Sequence, residues 1–482
     1  MLTPKHIVAE LFSKTTREYP EEIQRLPVSG SERIYFRLRS RQLSLIGAYN
    51  PVIQENRAFT QFTAHFASLG LPVPRLHAVN QNQTAYLLDD LGDTTLYSFI
   101  EGERKQNLIW SQTLTQLYKQ ALDDLLLFQD ALNQGLDLSE AWPRKAFDRQ
   151  SILWDLNYFK YYFVRLAGID FDEDRLEEDF QHFASRLATA PSHFFMYRDF
   201  QSRNIMLKEG KLFYIDYQGG RRGPLPYDVA SLLFDAKADI PVDIRNRLLE
   251  HYLRNAILKK MTTEEAFMDW WPSFVFVRIM QAMGAYGYRG FFQQKQHFLL
   301  SVPLAIRNLE FLLKEYGFPR GYPELNNILE KIVNHEYLRS FGDKRETLKV
   351  TVMSFSYRKG LPADTSGNGG GFIFDCRALP NPGREQQFKS LTGNHPAVIE
   401  YLSQSPEVAD FFENCKNLIL QSVNNYLQRG FTHLLVCFGC TGGQHRSVFM
   451  ATRMAELLGT MEGFETELIH RELSSPTQVT ID

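Results

Sequence analysis

The chain has no apolar run long enough for a membrane-spanning helix, which takes about 20 residues. Its opening, Met1-Leu2-Thr3-Pro4-Lys5-His6-Ile7-Val8-Ala9-Glu10, is broken by charge before a signal-like segment can form. The expected location is therefore the cytoplasm, with no membrane partner. Cysteine is scarce: the 4 in 482 residues, Cys376, Cys415, Cys437 and Cys440, all fall in the last third without a paired framework. That argues against a disulfide scaffold and fits a reducing compartment. Cys437 and Cys440 have C-x-x-C spacing, but no second ligand pair accompanies them, and Cys437 reads as a buried strand cysteine. A basic surplus is also missing. With 53 Lys+Arg against 56 Asp+Glu and a formal net charge of -3, nothing in the whole-chain charge points to nucleic acid, although a local basic face remains open.

Apolar material is abundant. Hydrophobic residues make up 44% and aromatics 13%, with 37 Phe, enough for large cores, and the length calls for at least two domains. Residues 26–50 alternate around a Gly-containing loop as strand, loop and strand; 51–70 read as a helix, and 79–91 as a strand running into Asp89-Asp90-Leu91-Gly92. Helical periods dominate from 96 to about 190, with Trp154, Phe159, Tyr162 and Phe163 as expected core, and resume over 229–316. The predicted architecture is an α+β, protein-kinase-like bilobal domain over 1–318, with a small β-rich lobe and a large helical lobe. A Pro- and Gly-punctuated linker with one short helix follows over 319–346. From 347 to 482, strands (348–355, 372–375, 432–438) alternate with helices (408–428, and after Arg446), which predicts an α/β domain. Residues 365–371 read as a Gly-rich surface loop, and no internal repeat or oligomerisation signal is visible.

Three side chains point to chemistry. Tyr197-Arg198-Asp199-Phe200-Gln201-Ser202-Arg203-Asn204 is followed by Tyr214-Ile215-Asp216-Tyr217-Gln218. Between them, Ile205-Met206-Leu207 and Leu212-Phe213-Tyr214-Ile215 flank the turn Lys208-Glu209-Gly210-Lys211, which predicts a hairpin carrying Asn204 and Asp216 at its open end. An aspartate to accept the attacking hydroxyl's proton, an asparagine after four intervening residues and a second aspartate beyond a hairpin are the parts of an ATP- and Mg²⁺-dependent kinase site. Asp199 is the expected base, and Asn204 and Asp216 the expected metal ligands. A single aspartate here would read as a helix cap or strand end.

With these residues, 20–318 resembles the aminoglycoside phosphotransferase and choline kinase superfamily, most closely the anomeric kinases of cell-wall amino sugars. The resemblance also rests on Gly30-Ser31-Glu32-Arg33, Tyr35-Phe36-Arg37, Leu88-Asp89-Asp90-Leu91-Gly92, and Gly223-Pro224 with Tyr227-Asp228-Val229-Ala230-Ser231-Leu232-Leu233. It implies a hinge at Asp89, Asp90 and Leu91 whose backbone reads adenine. Gly30 and Ser31 are expected to let the backbone approach the ATP phosphates. The strand Ser44-Leu45-Ile46-Gly47-Ala48 lacks the Lys that usually clamps the phosphates, so Arg33 or Arg37 is expected to supply that charge. Asp228 reads as an N-cap or structural acid.

In the last third, Gly439-Cys440-Thr441-Gly442-Gly443-Gln444-His445-Arg446-Ser447 joins an apolar strand to a helix starting near Val448. Glycines that free backbone N–H groups, a helix N-terminus and an arginine suit an anion. With Ser354-Phe355, Lys359-Gly360-Leu361-Pro362, Phe374-Asp375-Cys376-Arg377, Leu379-Pro380-Asn381-Pro382 and Thr392-Gly393, residues 347–473 resemble the C-terminal domain of the RNase adapter protein RapZ. The resemblance implies sugar-phosphate binding by Cys440, Thr441, Gly442, Gly443, His445, Arg446, Ser447 and Arg377. It also implies RNA as a partner, which is set aside: the family's P-loop domain is absent and its basic tail is replaced by Leu473-Ser474-Ser475-Pro476-Thr477-Gln478-Val479-Thr480-Ile481-Asp482. The combined expectation is a kinase of a small amino sugar, N-acetylglucosamine or N-acetylmuramate, fused to a sugar-phosphate sensor. Two alternatives stay open. One is a cysteine-dependent phosphatase, because Cys440 and Arg446 have that spacing. The other is an RNA-binding regulator with a non-catalytic kinase-like half.

Overall fold

The computed structural model describes residues 3–27, 33–106, 110–317, 320–341, 348–364, 370–429, 431–473 and 479–480. The chain divides into two compact units, Met1–Phe341 and Gly342–Asp482.

The first unit opens with a five-stranded antiparallel sheet of order β1-β2-β3-β5-β4, made of β1 (Glu22–Arg25), β2 (Ile34–Arg39), β3 (Ser44–Tyr49), β4 (Leu76–Val79) and β5 (Ala85–Asp89). Period-2 alternation gives each face its own core. Leu45 and Leu87 face one way with Phe36 and Leu38, against Val8 and Phe12 of the helix Pro4–Thr16. Ala48, Tyr86 and Leu88 face the other way, toward Phe59, Phe62 and Phe66 of the helix Ile53–Ser68. Gly47 lets the N-terminal helix sit close, since a Cβ there would lie 2.7 Å from Leu38 and 3.0 Å from Val8.

The larger lobe is helical and carries two small hairpin-like sheets. In one, β6 (Phe194–Met196) pairs with β9 (Arg221–Gly223); in the other, β7 (Ile205–Lys208) pairs with β8 (Lys211–Tyr214). The helix Arg149–Phe159 buries Ile152, Leu153, Leu156 and Phe159 on one stripe, and Phe163 follows in a π-helical turn, Lys160–Val164. Trp154 falls outside that stripe. It is 47% exposed, with the Arg144 guanidinium over its ring, so it is not core as the sequence suggested.

The expected linker over 319–346 is not a linker as far as Phe341. The helix Pro323–Val333 buries Leu325, Ile328, Leu329 and Ile332, and Leu338 follows in the helix Glu336–Ser340; all belong to the first unit's core. The Leu325 N–H donates to Asp179 (2.9 Å), and the Asp172 N–H donates to Glu324 (2.9 Å). The apolar residues recur at helical spacing, which the surrounding Pro and Gly obscured. Residues 318–319 and 342–346 lie outside the described residues.

The second unit is a mostly parallel sheet of order β11-β12-β10-β13-β14. It comprises β10 (Leu348–Ser356), β11 (Gly371–Asp375), β12 (His433–Cys440) and β13 (Phe464–His470), with β14 (Val479–Thr480) antiparallel at the edge. The helices Pro396–Ser403, Pro406–Arg429 and Arg446–Gly459 belong to this unit. Buried Val350, Val352, Val436 and Phe438 on the central strands share a core with Met450, Met454 and Leu458 of the last helix. The register pairs Ser356 with Cys440, so β10 and β12 end side by side where the glycine-rich loop begins.

Candidate active site and anion loop

β6 leads into the segment carrying Asp199, and Arg198 there adopts a left-handed backbone (φ 84). Such a conformation persists when its surroundings over-determine it, and here Asp228 does so. Fully buried, it accepts the N–H groups of Tyr197 (2.7 Å) and Arg198 (2.9 Å). Burial pushes its carboxyl up to about 7 against those two bonds. Asp228 lies inside the helix Leu225–Leu233, whose N-cap is Pro224, so it is a structural acid and not a cap. Arg198 pairs with Asp155 (2.7 and 2.5 Å) and Tyr227 (2.7 Å). Ser202 donates to Asp235 at 2.6 Å. Neither Asp155 nor Asp235 was found from sequence, although an aspartate inside the apolar stretch Ile152-Leu153-Trp154-Asp155-Leu156 is a readable signal.

The three predicted residues come together. Asn204 Nδ2 donates to the Asp199 carbonyl (2.9 Å) and faces Asp216 Oδ2 (3.4 Å), while Gln201 donates to Asp199 Oδ1 (3.1 Å). Asp216 sits at φ 71, just beyond β8, and accepts from Gln218 at 2.7 Å. Burial raises its carboxyl, and the like charge of Asp199 raises it further, opposed by Gln218, Arg33 and Arg203. A buried carboxylate beside a second one favours a cation between them. Among the described residues no group of three or more His, Cys, Asp or Glu could hold a metal. Mg²⁺ bound through one or two protein oxygens plus nucleotide phosphates requires none.

Arg33 is 2% exposed, donates to Glu55 (3.1 Å) and Tyr35 (3.3 Å), and feels the charge of Asp216. Glu55 lies in the first turn of the helix Ile53–Ser68 and was missed from sequence. A buried cation paired to a helix glutamate is the arrangement that a strand Lys and a helix Glu make in protein kinases. Arg37 has a different place. Its guanidinium is consumed by Asp90 (2.8 and 3.0 Å) and Asp93 (2.8 and 3.0 Å), so it staples the sheet to the following turn and is not free for phosphates. At the expected hinge, the Asp89 side chain meets His77 (2.7 Å) and the Arg75 N–H (3.1 Å), the Asp90 carbonyl accepts Lys208 (2.8 Å), and Leu91 is buried. Gly30 and Ser31 lie outside the described residues.

In the second unit the loop after β12 is closely braced. The Thr441 carbonyl accepts Ser356 Oγ (2.8 Å), Gln444 donates to Leu391 (2.7 Å), and buried His445 Nε2 donates to the Phe388 carbonyl (2.9 Å). Gly442 has open space where a Cβ would stand. Gly443, at φ 68, would place a Cβ 2.5 Å from Glu472 and 3.0 Å from the Ser356 nitrogen. The helix starts at Arg446, two residues before the expected Val448. Arg446 is buried, and its Nη1 donates to the carbonyls of Arg377 (2.8 Å) and Leu379 (3.0 Å). Arg377 is half exposed, held by Asp375 (2.6 Å) and stacked over Tyr357, so its charge is already paired beside the loop. Cys440 is 3% exposed, with Ser447 Oγ 3.1 Å from Sγ. Burial pushes this thiol up, yet Ser447, the backbone N–H groups of Ser447 and Gly443, and Arg446 together bring it below its ordinary value. Glu472 is the carboxyl against Gly443. Burial raises it, but Lys359, Arg471 and the Ser356 N–H hold it low, so it keeps no proton for a leaving group.

The bilobal fold, with its Asp–Asn–Asp cluster and a buried Arg33 paired to Glu55, defines a kinase-type phosphotransferase unit. The chain belongs to the phosphotransferase enzyme family, whose profile matches residues 31–271, half of its length, and residues 348–474 match the RapZ C-terminal domain. Similar curated proteins include a nucleotide-binding protein of Dinoroseobacter shibae, 40% identical over 140 residues that cover 29% of this chain and 45% of that protein. Another, from Koribacter versatilis, is 37% identical over 136 residues, covering 27% and 42% respectively. The chain thus spans less than half the length of these relatives. Among solved structures, the amicoumacin kinase hAmiN in complex with AMP-PNP, Ca²⁺ and Ami is 13% identical, with TM-score 0.47, covering 66% of this chain and 96% of that one. The Plasmodium vivax ethanolamine kinase is 13% identical, with TM-score 0.43, covering 60% and 82%. No described helix is long and apolar enough to cross a membrane.

Proposed function

We propose that the first unit transfers the γ-phosphoryl group of ATP to a hydroxyl of a small amino sugar such as N-acetylglucosamine or N-acetylmuramate, and that the second unit binds a sugar phosphate. The observation that carries the reading is the cluster of Asp199, Asn204 and Asp216, three residues of two segments joined by hydrogen bonds. Asp199 accepts the proton of the attacking hydroxyl, and Gln201 fixes its orientation from one side. Asn204, with Nδ2 turned to the Asp199 carbonyl and to Asp216, would together with Asp216 hold Mg²⁺, which would offset the negative charge of the phosphates. Arg33, kept in place by Glu55, supplies the charge for the phosphates that β3 lacks, and Gly30 and Ser31 are assigned to the same phosphates; backbone groups at Asp89, Asp90 and Leu91 receive the adenine. In the second unit, the backbone of Thr441, Gly442 and Gly443, with His445, Arg446 and Ser447, receives the phosphate. The setting is the cytoplasm.

An ATP-consumption screen across amino sugars, choline and aminoglycosides tests the first half. An amino sugar is expected to give turnover, and Asp199→Asn is expected to fold while losing about 10²–10⁴-fold in rate. Equal single-turnover rates for wild type and Asp199→Asn would remove the role of that carboxylate.

A further inference from the structure

Arg221 opens β9, five residues after Asp216, and its register partner Met196 stands three residues before Asp199. It is 6% exposed. Among the described residues it meets no carboxylate at ion-pair distance, and its guanidinium makes one hydrogen bond, from Nε to the Gly219 carbonyl at 3.0 Å. The turn that fixes this geometry depends on glycine, because a Cβ on Gly220 would lie 2.2 Å from the Phe195 ring. The obvious counter-charge is already used: both oxygens of Asp155 accept from Arg198, which also holds the Tyr227 hydroxyl. Arg198 therefore takes that carboxylate, and buried Arg221 is left without it. Burial and the neighbouring Arg198 bring the Arg221 guanidinium down to about 10, so it is still charged at neutral pH, and Asp199 is among the charges acting on it.

A buried charge without a partner is costly, and removing its partner from a buried pair is among the more destabilising changes a protein meets. The cost is tolerable where a ligand brings the missing charge. Given the phosphotransferase reading, on which this step rests, the ligand next to Asp199 is the acceptor. We infer that Arg221 is a specificity-determining residue that binds an oxyanion of the acceptor, a carboxylate or a phosphate, while the acceptor's hydroxyl faces Asp199. Arginine suits that task because its planar fork matches both groups.

Three probes separate the cases. N-acetylglucosamine is neutral, N-acetylmuramate adds a carboxylate on a lactyl ether, and N-acetylglucosamine 6-phosphate adds a phosphate. Their binding to the full-length protein is measured by calorimetry and their turnover with ATP independently, for wild type, Arg221→Lys and Arg221→Gln. One anionic probe is expected to bind wild type about ten- to hundredfold more tightly than the neutral sugar, the range of a charge-assisted hydrogen bond. The probe whose advantage is lost in Arg221→Gln identifies the oxyanion, since the loop of the second unit would take a sugar phosphate in either protein. Arg221→Gln is expected to erase the preference, and Arg221→Lys to restore part of it. Turnover with ATP reads the first unit alone, and its wild-type comparison needs no variant, so a misfolded substitution leaves the test intact. Equal binding of all three sugars by wild type, or an undiminished preference in folded Arg221→Gln, would overturn the inference. Anion-selective binding that Arg221→Gln abolishes, without any ATP consumption, would support the Arg221 site and count against the phosphotransfer reading instead.

Discussion

Asp228 shows how much one buried acid can determine at this site. Its two oxygens hold consecutive N–H groups of the segment that presents Asp199. In Asp228→Asn an amide NH₂ faces one of those donors. The expected cost is about 1–3 kcal/mol, the price of one unsatisfied buried N–H. The wild-type carboxyl titrates near 7 when folded and near 4 when unfolded. Between those values the folded chain keeps a proton that the unfolded chain has released, so this group's contribution to stability falls as pH rises from about 4 to about 7 and then levels. Urea midpoints of both proteins at pH 5 and pH 8 read the effect. A wild-type difference that persists unchanged in Asp228→Asn would assign the pH dependence to other groups.

At the scale of elements, the helix Pro323–Val333 decides where the first unit ends. Leu329 is fully buried in a stripe with Leu325, Ile328 and Ile332, and the helix is tied to the lobe through Asp179 and Glu324. Leu329→Ala is expected to destabilise the first unit by about 2–5 kcal/mol, as deletion of a buried leucine does. A flexible connector would show no change. Thermal melts monitored by ATP protection distinguish the two.

At the scale of the whole molecule, titration tests the proposed ATP site of the first unit and the proposed sugar-phosphate site of the second. Calorimetric titration of glucosamine-6-phosphate into the full chain is expected to give heat without release of inorganic phosphate, because Glu472 has no proton to give and Cys440 is enclosed. If the titration differs in the presence of ATP, ATP affinity must change by the same factor when glucosamine-6-phosphate is bound. Absence of heat would remove the sugar-phosphate assignment. Steady phosphate release that disappears in Cys440→Ser would make the loop a phosphatase.

The sequence by itself determined the order of the lobes, the α/β character of the second domain and the identity of the Asp199, Asn204 and Asp216 cluster, because these depend on local signals. Alternating apolar runs around Lys208-Glu209-Gly210-Lys211 can only close one way, and that closure brings Asn204 and Asp216 together. Partner choice among charges was decided only by tertiary structure. Arg33, just before β2, and Arg37, within it, stand four residues apart and look equivalent in sequence, yet one meets Glu55 and the other meets Asp90 and Asp93. Arg198 and Arg221 are 23 positions apart, and only folding leaves Asp155 to the first and, among the described residues, no carboxylate but only the Gly219 carbonyl to the second. A charge's partner lies across the fold, at distances no local pattern encodes, whereas a turn or an amphipathic stripe is written within a few consecutive residues.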